Sequence, residues 1–333
     1  MNLSNIIIGE NSPTFIIAEI GVNHNGSVEL AKEMIDAAKD VGADAVKFQT
    51  FKTENLVSKS LKDFFEMVKK LELGEEDFLE LSKYANKKKI IFFSTPTDED
   101  SIDLLYKLEV PAFKIASGDL TYLPFIGYAA EKDIPIILST GMSNLGEIEE
   151  AVDTVYSKGN KNLALMHCVS SYPASVTDLN LNVIKTLKQA FGVPVGFSDH
   201  TQSKLAPIIA ATMGADIIEK HFTLDKEMEG PDHKASADVE EFEFFINGIR
   251  EMESMRGTSI KKPVESEMEI QKTYRKSLFA NKEILKGKTI TSDVISVKRP
   301  AEGILPKYLN NIIGKTAKKD ISPEEPIKWN SIV

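Results

Sequence analysis

Residues Val195–His221, VGFSDHTQSKLAPIIAATMGADIIEKH, hold the pattern on which the fold turns. Val195–Ser198 is a short β-rich run, Leu205–Met213 reads as a helix, and Ile217–His221 is a second short β-rich run. A histidine closes each run, His200 after the first and His221 at the end of the second. Strands one strand–helix unit apart pair side by side, so the two imidazoles are expected to share a metal ion.

The same unit recurs along the chain. Thr14–Ile20 leads into Ser27–Val41, whose apolar residues fall at helical spacing until Gly42 stops it. Ala45–Thr50 is the next strand, and Leu61–Leu73 reads as an extra helix inserted before that strand's own helix. Then Ile90–Ser94 leads to Glu99–Leu108, Ala112–Ala116 to Leu123–Lys132, and Pro135–Ser139 to Gly146–Ser157. Leu163–His167 leads to Leu181–Phe191, and Ile217–His221 to Val239–Met255. Short, nearly continuous apolar strands alternating with helices indicate parallel pairing with both faces covered. Eight such units in about 250 residues predict an α/β fold of the (β/α)8 TIM-barrel type.

An open doubly wound sheet is the competing architecture. The barrel is preferred because polar side chains gather at the C-terminal end of every strand: Glu19; Lys47 and Gln49; Ser94 and Thr95; Lys114 and Ser117; Ser139 and Thr140; His167 and Ser170; Ser198 and His200; Glu219 and His221. A barrel brings all those ends to one face, whereas an open sheet collects them only at a switch point.

Outside the barrel, Asn5–Pro13 reads as a short hairpin. Beyond Met255 the character changes to short β-like pieces at Ser277–Ala280, Lys286–Lys288, Val294–Arg299, Pro300–Gly303 and Ile312–Thr316. The expected division is a barrel domain over 1–257, a linker over 258–275 and a small β-rich domain over 276–333.

Hydrophobic residues make up 42% and charged residues 27% of the 333, as in an ordinary globular protein. A net charge of −10 argues against nucleic acid or an anionic membrane as the main partner. The N-terminus shows no signal-peptide pattern, and no apolar run reaches the length of a membrane span. A single cysteine, Cys168, excludes an internal disulfide and fits a cytoplasmic protein.

In an acidic chain, lysines inside apolar strands need a specific partner. Lys47 and Gln49 share a strand face, as do Glu219 and His221. Lys47 and Lys114, with hydroxyls at Thr95, Ser117, Ser139 and Ser198, suit an oxyanion such as phosphate. His200 and His221, with carboxylates at Glu19, Asp119 and Asp232 available, suit a divalent ion such as Mn2+ or Mg2+, and Zn2+ fits the same donors. His167 reads as a core histidine and His24 as a surface one. Gly230-Pro231 sets a turn that holds Asp232 over the mouth or is an ordinary surface turn.

These pieces resemble a known family. GVNHNG (21–26), KFQT (47–50), STP (94–96), KIASGD (114–119), LSTGM (138–142), HCVSSYP (167–173), SDHT (198–201), EKHFTLD (219–225), GPDH (230–233) and KRP (298–300) stand in the order seen in the sialic acid synthases, including the legionaminate and pseudaminate synthases. The resemblance covers the whole chain and implies a C-terminal antifreeze-like (SAF) domain. It implies condensation of phosphoenolpyruvate with N-acetylmannosamine or a related N-acylated amino sugar, with water consumed and phosphate released. It assigns His200 and His221 to a metal, and Lys47, Thr95, Lys114, Ser117, Ser139, Ser170 and Ser198 to phosphoenolpyruvate. Glu19, Gln49, Tyr172 and Asp232 fall at positions that touch the amino sugar or the metal-bound water; the reaction needs an acid or base, for which Glu19 and then Asp119 are the candidates. Arg299 matches an arginine that reaches the sugar's acyl group across a domain-swapped homodimer. The chain departs from the common pattern at Asp119, where Glu is frequent, at Ser170, where Asn is frequent, and in a short loop over Phe51–Leu73. Two other functions compete: a Schiff-base aldolase using Lys47 or Lys114, and a non-catalytic carbohydrate-binding protein.

Overall fold

The computed structural model describes residues 1–3, 6–9 and 12–333. They divide into two compact units, Met1–Gly257 and Thr258–Val333.

In the first unit eight parallel strands close into a barrel. They are β1 (Phe15–Gly21), β2 (Ala45–Thr50), β3 (Ile91–Pro96), β4 (Phe113–Ile115), β5 (Ile136–Ser139), β6 (Leu163–Cys168), β7 (Val195–Asp199) and β8 (Ile217–His221). Neighbours in sequence are neighbours in the ring, and β8 closes on β1 with Ile217 opposite Phe15 and His221 opposite Glu19. The open sheet is thereby excluded. Every residue of β1, β6, β7 and β8 is buried, because helices cover the outside while side chains fill the inside.

The helices follow from apolar spacing and caps. In Val28–Asp40 the buried residues Ala31, Met34, Ile35 and Ala38 form one stripe, and Ser27 caps the N-terminus by accepting from the Leu30 amide. Asn144 and Asp238 cap Leu145–Ser157 and Val239–Arg256 in the same way, each with a reciprocal glutamate three residues on. Gly196 lets β6, β7 and β8 close up. A Cβ there would sit 2.3 Å from Met166 Sδ and 2.7 Å from Ile217 Cβ.

The inserted helix is Lys62–Leu71, preceded by a single turn at Thr53–Leu56, and Glu75–Lys88 is the strand's own helix. A small apolar cluster of Val22, Phe51, Val57, Val68 and Leu71 pins this insertion to the loop after β1, at the mouth. At the N-terminus Asn2–Leu3 pairs antiparallel with Ile6–Ile7, and Leu3 and Ile8 join the main core. Of the hairpin read over Asn5–Pro13, Asn5, Glu10 and Asn11 lie outside the described residues.

The second unit has its own core of Leu278, Ala280, Ile284, Ile290, Ile304, Ile312, Ala317, Ile321, Ile327 and Ile332. Each of its leucine and isoleucine side chains, when fully buried, stabilises by about 1.5–3 kcal/mol. β9 (Ser277–Ala280) pairs antiparallel with β10 (Ile295–Lys298), and isolated bridges such as Ile284–Ile321 and Ala317–Ile332 tie the rest. Two expectations change here. Part of the stretch read as linker is a helix, Glu265–Tyr274, whose turns are polar enough to hide the apolar period. Of the β-like piece read over Ile312–Thr316, Ile312 ends the helical turn Leu309–Ile312 and only Thr316 bridges, to Thr289. Among the described residues no helix is long and apolar enough to cross a membrane.

Candidate active site

The barrel's C-terminal mouth is built around alternating buried charges. Lys47 Nζ on β2 lies 2.8 Å from Glu19 Oε2 on β1, 2.8 Å from Thr95 Oγ1 on β3 and 3.9 Å from Glu219 Oε2 on β8. Glu219 also accepts from Lys114 Nζ at 3.1 Å and from Ser198 Oγ at 3.0 Å. Glu19 Oε1 accepts from Gln49 Nε2 at 3.3 Å. The carboxylates sit in different states. Burial pushes Glu19 up to about 7 against the pull of Lys47, with the charge of Glu219 adding to the rise. Burial opposes ionisation of Glu219 too, but Lys114 and Lys47 together hold it down at about 2. Glu19 is therefore only partly ionised near neutral pH, and Glu219 is an anion between two lysines.

Beside this network the two histidine rings lie 5.7 Å apart, centroid to centroid. His200 Nδ1 is 2.8 Å from the Val169 carbonyl, which places the proton on Nδ1 and leaves the lone pair on Nε2, with Ser198 Oγ 3.4 Å away. His221 Nδ1 is buried without a hydrogen-bond partner, and Asp232 Oδ2 stands 3.8 Å away. Tyr172 covers both rings, at 4.2 Å from His200 and edge-on at 5.9 Å from His221. Burial lowers both imidazoles, His200 to about 4, with its neighbour His221 adding to the fall. Both are neutral, the form that donates a lone pair to a metal. Among the described residues no three His, Cys, Asp or Glu side chains gather as a preformed ligand cluster. An ion here would take two imidazoles and leave its other positions to water and substrate. The orphaned His221 nitrogen and the neutral rings fit a divalent cation.

A third group lies at the ends of β5 and β6 and on the loops after β4, β5 and β6. Ser117 Oγ is 3.1 Å from Cys168 Sγ and accepts from the Gly141 amide at 3.0 Å. A Cβ on Gly141 would sit 2.3 Å from Ser170 Oγ and 2.9 Å from both Cys168 Sγ and Ser117 Oγ, so only glycine lets these side chains meet. Ser139 is buried at the end of β5. Asp119 ends the short turn Ser117–Asp119, and burial raises its carboxyl to about 6.

Residues 34–261 match the NeuB family, and residues 275–333 match the SAF domain. The chain belongs to the NeuB family. It is 50% identical to an uncharacterised protein of Methanocaldococcus jannaschii, over 98% of this chain and 96% of that one. It is 43% identical to the N,N'-diacetyllegionaminic acid synthase of Legionella pneumophila, over 97% and 96%. Among solved structures it is similar to the N-acetylneuraminic acid (sialic acid) synthetase of Leptospira borgpetersenii in complex with citrate. That match has a TM-score of 0.77 and 39% identity, and covers 81% of this chain and 94% of that one.

In this NeuB-family barrel, Glu19, Lys47, Gln49, Thr95, Lys114, Ser198, His200 and His221 join one network of hydrogen bonds, ion pairs and ring contacts. Ser117 and Ser170 meet around Gly141, while Tyr172 and Asp232 flank the histidines. Arg299 belongs to the second unit, where its Nε donates to the Tyr274 carbonyl and its guanidinium lies 4.9 Å over the Tyr274 ring. His167 is a core histidine, its Nε2 2.6 Å from the Leu179 carbonyl. His24 is not at the surface: it is buried beside Phe48, because the inserted helix covers its loop. Glu219's bridging of two lysines, and the part played by Gly141 and Cys168, went unread. The parity of Glu219 with His221 signals the first; nothing local signals the second.

Proposed function

We propose that this NeuB-family chain condenses phosphoenolpyruvate with N-acetylmannosamine or a related N-acylated amino sugar in its open-chain form. The reading rests on one observation: two buried ammoniums, Lys47 and Lys114, stand at the same mouth as two neutral, adjacent imidazoles, His200 and His221. The cationic half suits a phosphorylated carboxylate, and the imidazole half suits a polarised aldehyde.

In the reaction, C3 of phosphoenolpyruvate bonds to the sugar's aldehyde carbon, the aldehyde oxygen takes a proton, water adds at C2 and phosphate leaves. Lys47 and Lys114, with Thr95, Ser117, Ser139, Ser170 and Ser198, hold phosphate and carboxylate, which is chiefly positioning and electrostatics. Glu19, protonated through much of its population near neutral pH, gives the proton to the new alkoxide. Asp119 is the second acid–base candidate, toward water. A divalent ion such as Mn2+ or Mg2+ held by His200 and His221 supplies Lewis-acid polarisation of the aldehyde. Gln49, Tyr172 and Asp232 orient the sugar, and Arg299 of a second copy in a domain-swapped homodimer takes its acyl group. Such a protein is expected to act in the cytoplasm.

A second reading concerns only the sugar. The 43% identity to a protein named N,N'-diacetyllegionaminic acid synthase favours a 2,4-diacetamido-trideoxy hexose. A panel of N-acetylmannosamine against its 2,4-diacetamido relatives, scored by phosphate release, separates the two. No phosphate release with any of them would overturn the proposal. Loss of activity on chelation, with no borohydride-trapped adduct, distinguishes it from a Schiff-base aldolase.

A further inference from the structure

Two charged residues next to the histidines take no part in the chemistry above. Lys220 precedes His221 on β8, and Asp199, the last residue of β7, precedes His200. They are register partners across the two strands. Because strand side chains alternate, and Glu219, His221 and Ser198 face the barrel interior, Lys220 and Asp199 face the opposite way, toward the helical layer. Both are buried, with side-chain exposures of 4% and 0%.

The geometry is closed on itself. Lys220 Nζ lies 2.5 Å from Asp199 Oδ2 and donates to the Thr201 carbonyl at 2.6 Å. Asp199 Oδ1 accepts from the Thr201 amide at 2.9 Å. Thr201 is thus held at both its backbone groups by one ion pair, and His200 lies between the two residues so held. The same pair ties the residue before His200 to the residue before His221. We propose that the Lys220–Asp199 pair is a positioning clamp that sets the spacing of the His200 and His221 imidazoles for a divalent cation. This rests on the metal role given to those histidines above.

The physical argument lies in what a buried ion pair supplies. Replacing such a pair by apolar residues of similar size is often neutral for stability, so stability alone does not call for these charges. An apolar pair cannot hydrogen-bond the two backbone groups of Thr201. Metal sites need their ligands within about 0.5 Å of the productive geometry, and loss of outer-sphere support costs about 10- to 100-fold in metal affinity.

The test compares Lys220→Met/Asp199→Leu with wild type in three measurements: melting temperature without metal, Mn2+ affinity by calorimetry, and phosphoenolpyruvate affinity in chelator. The clamp predicts a folded double variant, phosphoenolpyruvate binding within about threefold of wild type, and Mn2+ binding weakened about tenfold or more. Lys220→Arg, which keeps the charge and donors, recovers most of the Mn2+ affinity. A folded double variant with wild-type Mn2+ affinity overturns the clamp, as does an equal fall in Mn2+ and phosphoenolpyruvate affinity. Should the double variant not fold, Asp199→Asn carries the same comparison, with selective loss of Mn2+ binding expected and unselective or absent loss overturning it. His221→Ala separates the two levels of inference. Wild-type protein whose Mn2+ binding is absent, or indifferent to His221→Ala, overturns the metal reading and the clamp together. Mn2+ binding lost in His221→Ala but kept in the clamp variant overturns the clamp alone.

Discussion

Glu19 and Lys47 form an ion pair across neighbouring strands, Oε2 to Nζ 2.8 Å, with side chains only 2% and 3% exposed. Burial of the carboxyl outweighs the pull of Lys47, which is why Glu19 is raised to about 7. Glu19→Gln keeps the shape and an acceptor for Lys47 but removes the transferable proton. We expect kcat to fall about 100- to 10,000-fold while phosphoenolpyruvate affinity stays near wild type. Steady-state phosphate release alongside a binding titration checks this, and a variant within a few-fold of wild-type kcat removes Glu19 as the acid.

His221 presents a buried, unpaired Nδ1 and lies against His200 and Tyr172. We expect His221→Ala to abolish metal-dependent phosphate release. Wild-type protein stripped by chelator should lose activity and regain it on adding Mn2+. A His221→Ala variant retaining a near-wild-type rate would falsify the metal role.

Asp119 provides a pH signature away from the histidines. Burial raises its carboxyl from 3.8 to about 6. Below about pH 3.8 both folded and unfolded chains hold the proton; between about 3.8 and 6 the folded chain holds it and the unfolded chain does not. The folded state binds more protons across that window, so this group's contribution to stability falls as pH rises through it, and stays lost above. Asp119→Asn should therefore raise the melting temperature relative to wild type at pH 7 to about 8, with the difference vanishing near pH 4. If Asp119 activates water, the activity limb near pH 6 disappears in the same variant. Parallel melting curves at both pH values would count against the raised carboxyl.

Gly141 is where a single methyl group has no room. In Gly141→Ala the Cβ meets Ser170 Oγ, Cys168 Sγ and Ser117 Oγ, two of them on the β6 side of the mouth. Overpacking of this kind costs about 1–3 kcal/mol. We expect a lower melting temperature and a raised KM for phosphoenolpyruvate, with the KM for the sugar changed less. A variant with wild-type kinetics and stability would show that the serines are free to move apart.

The barrel was legible because its signals are local. Strand length, helical spacing and caps such as Ser27 and Asn144 are each read within a few residues, and eight repetitions leave few architectures. The polar strand ends were legible for the same reason: parity along β2 and β8 puts Lys47 with Gln49 and Glu219 with His221 without any tertiary information. Where the local signal is weak, the reading slipped. Glu265–Tyr274 has a polar surface that reads as linker, and His24 sits in a glycine-bounded loop that reads as exposed.

Pairing across the ring belongs to the closed barrel. Lys114 and Glu219 are 105 residues apart and meet only because β8 returns to β1 and the interior brings strands β4 and β8 within reach. The unequal protonation of Glu19 and Glu219 follows from the same closure. Burial acts on both, and Glu219 is held down by Lys114, Lys47 and the Ser198 hydroxyl, while its charge adds to the rise of Glu19. Residue types and their strand-end positions are properties of the local chain. Which charge neutralises which, and which histidine nitrogen is left without a partner, come from side chains that meet only when the ring is complete.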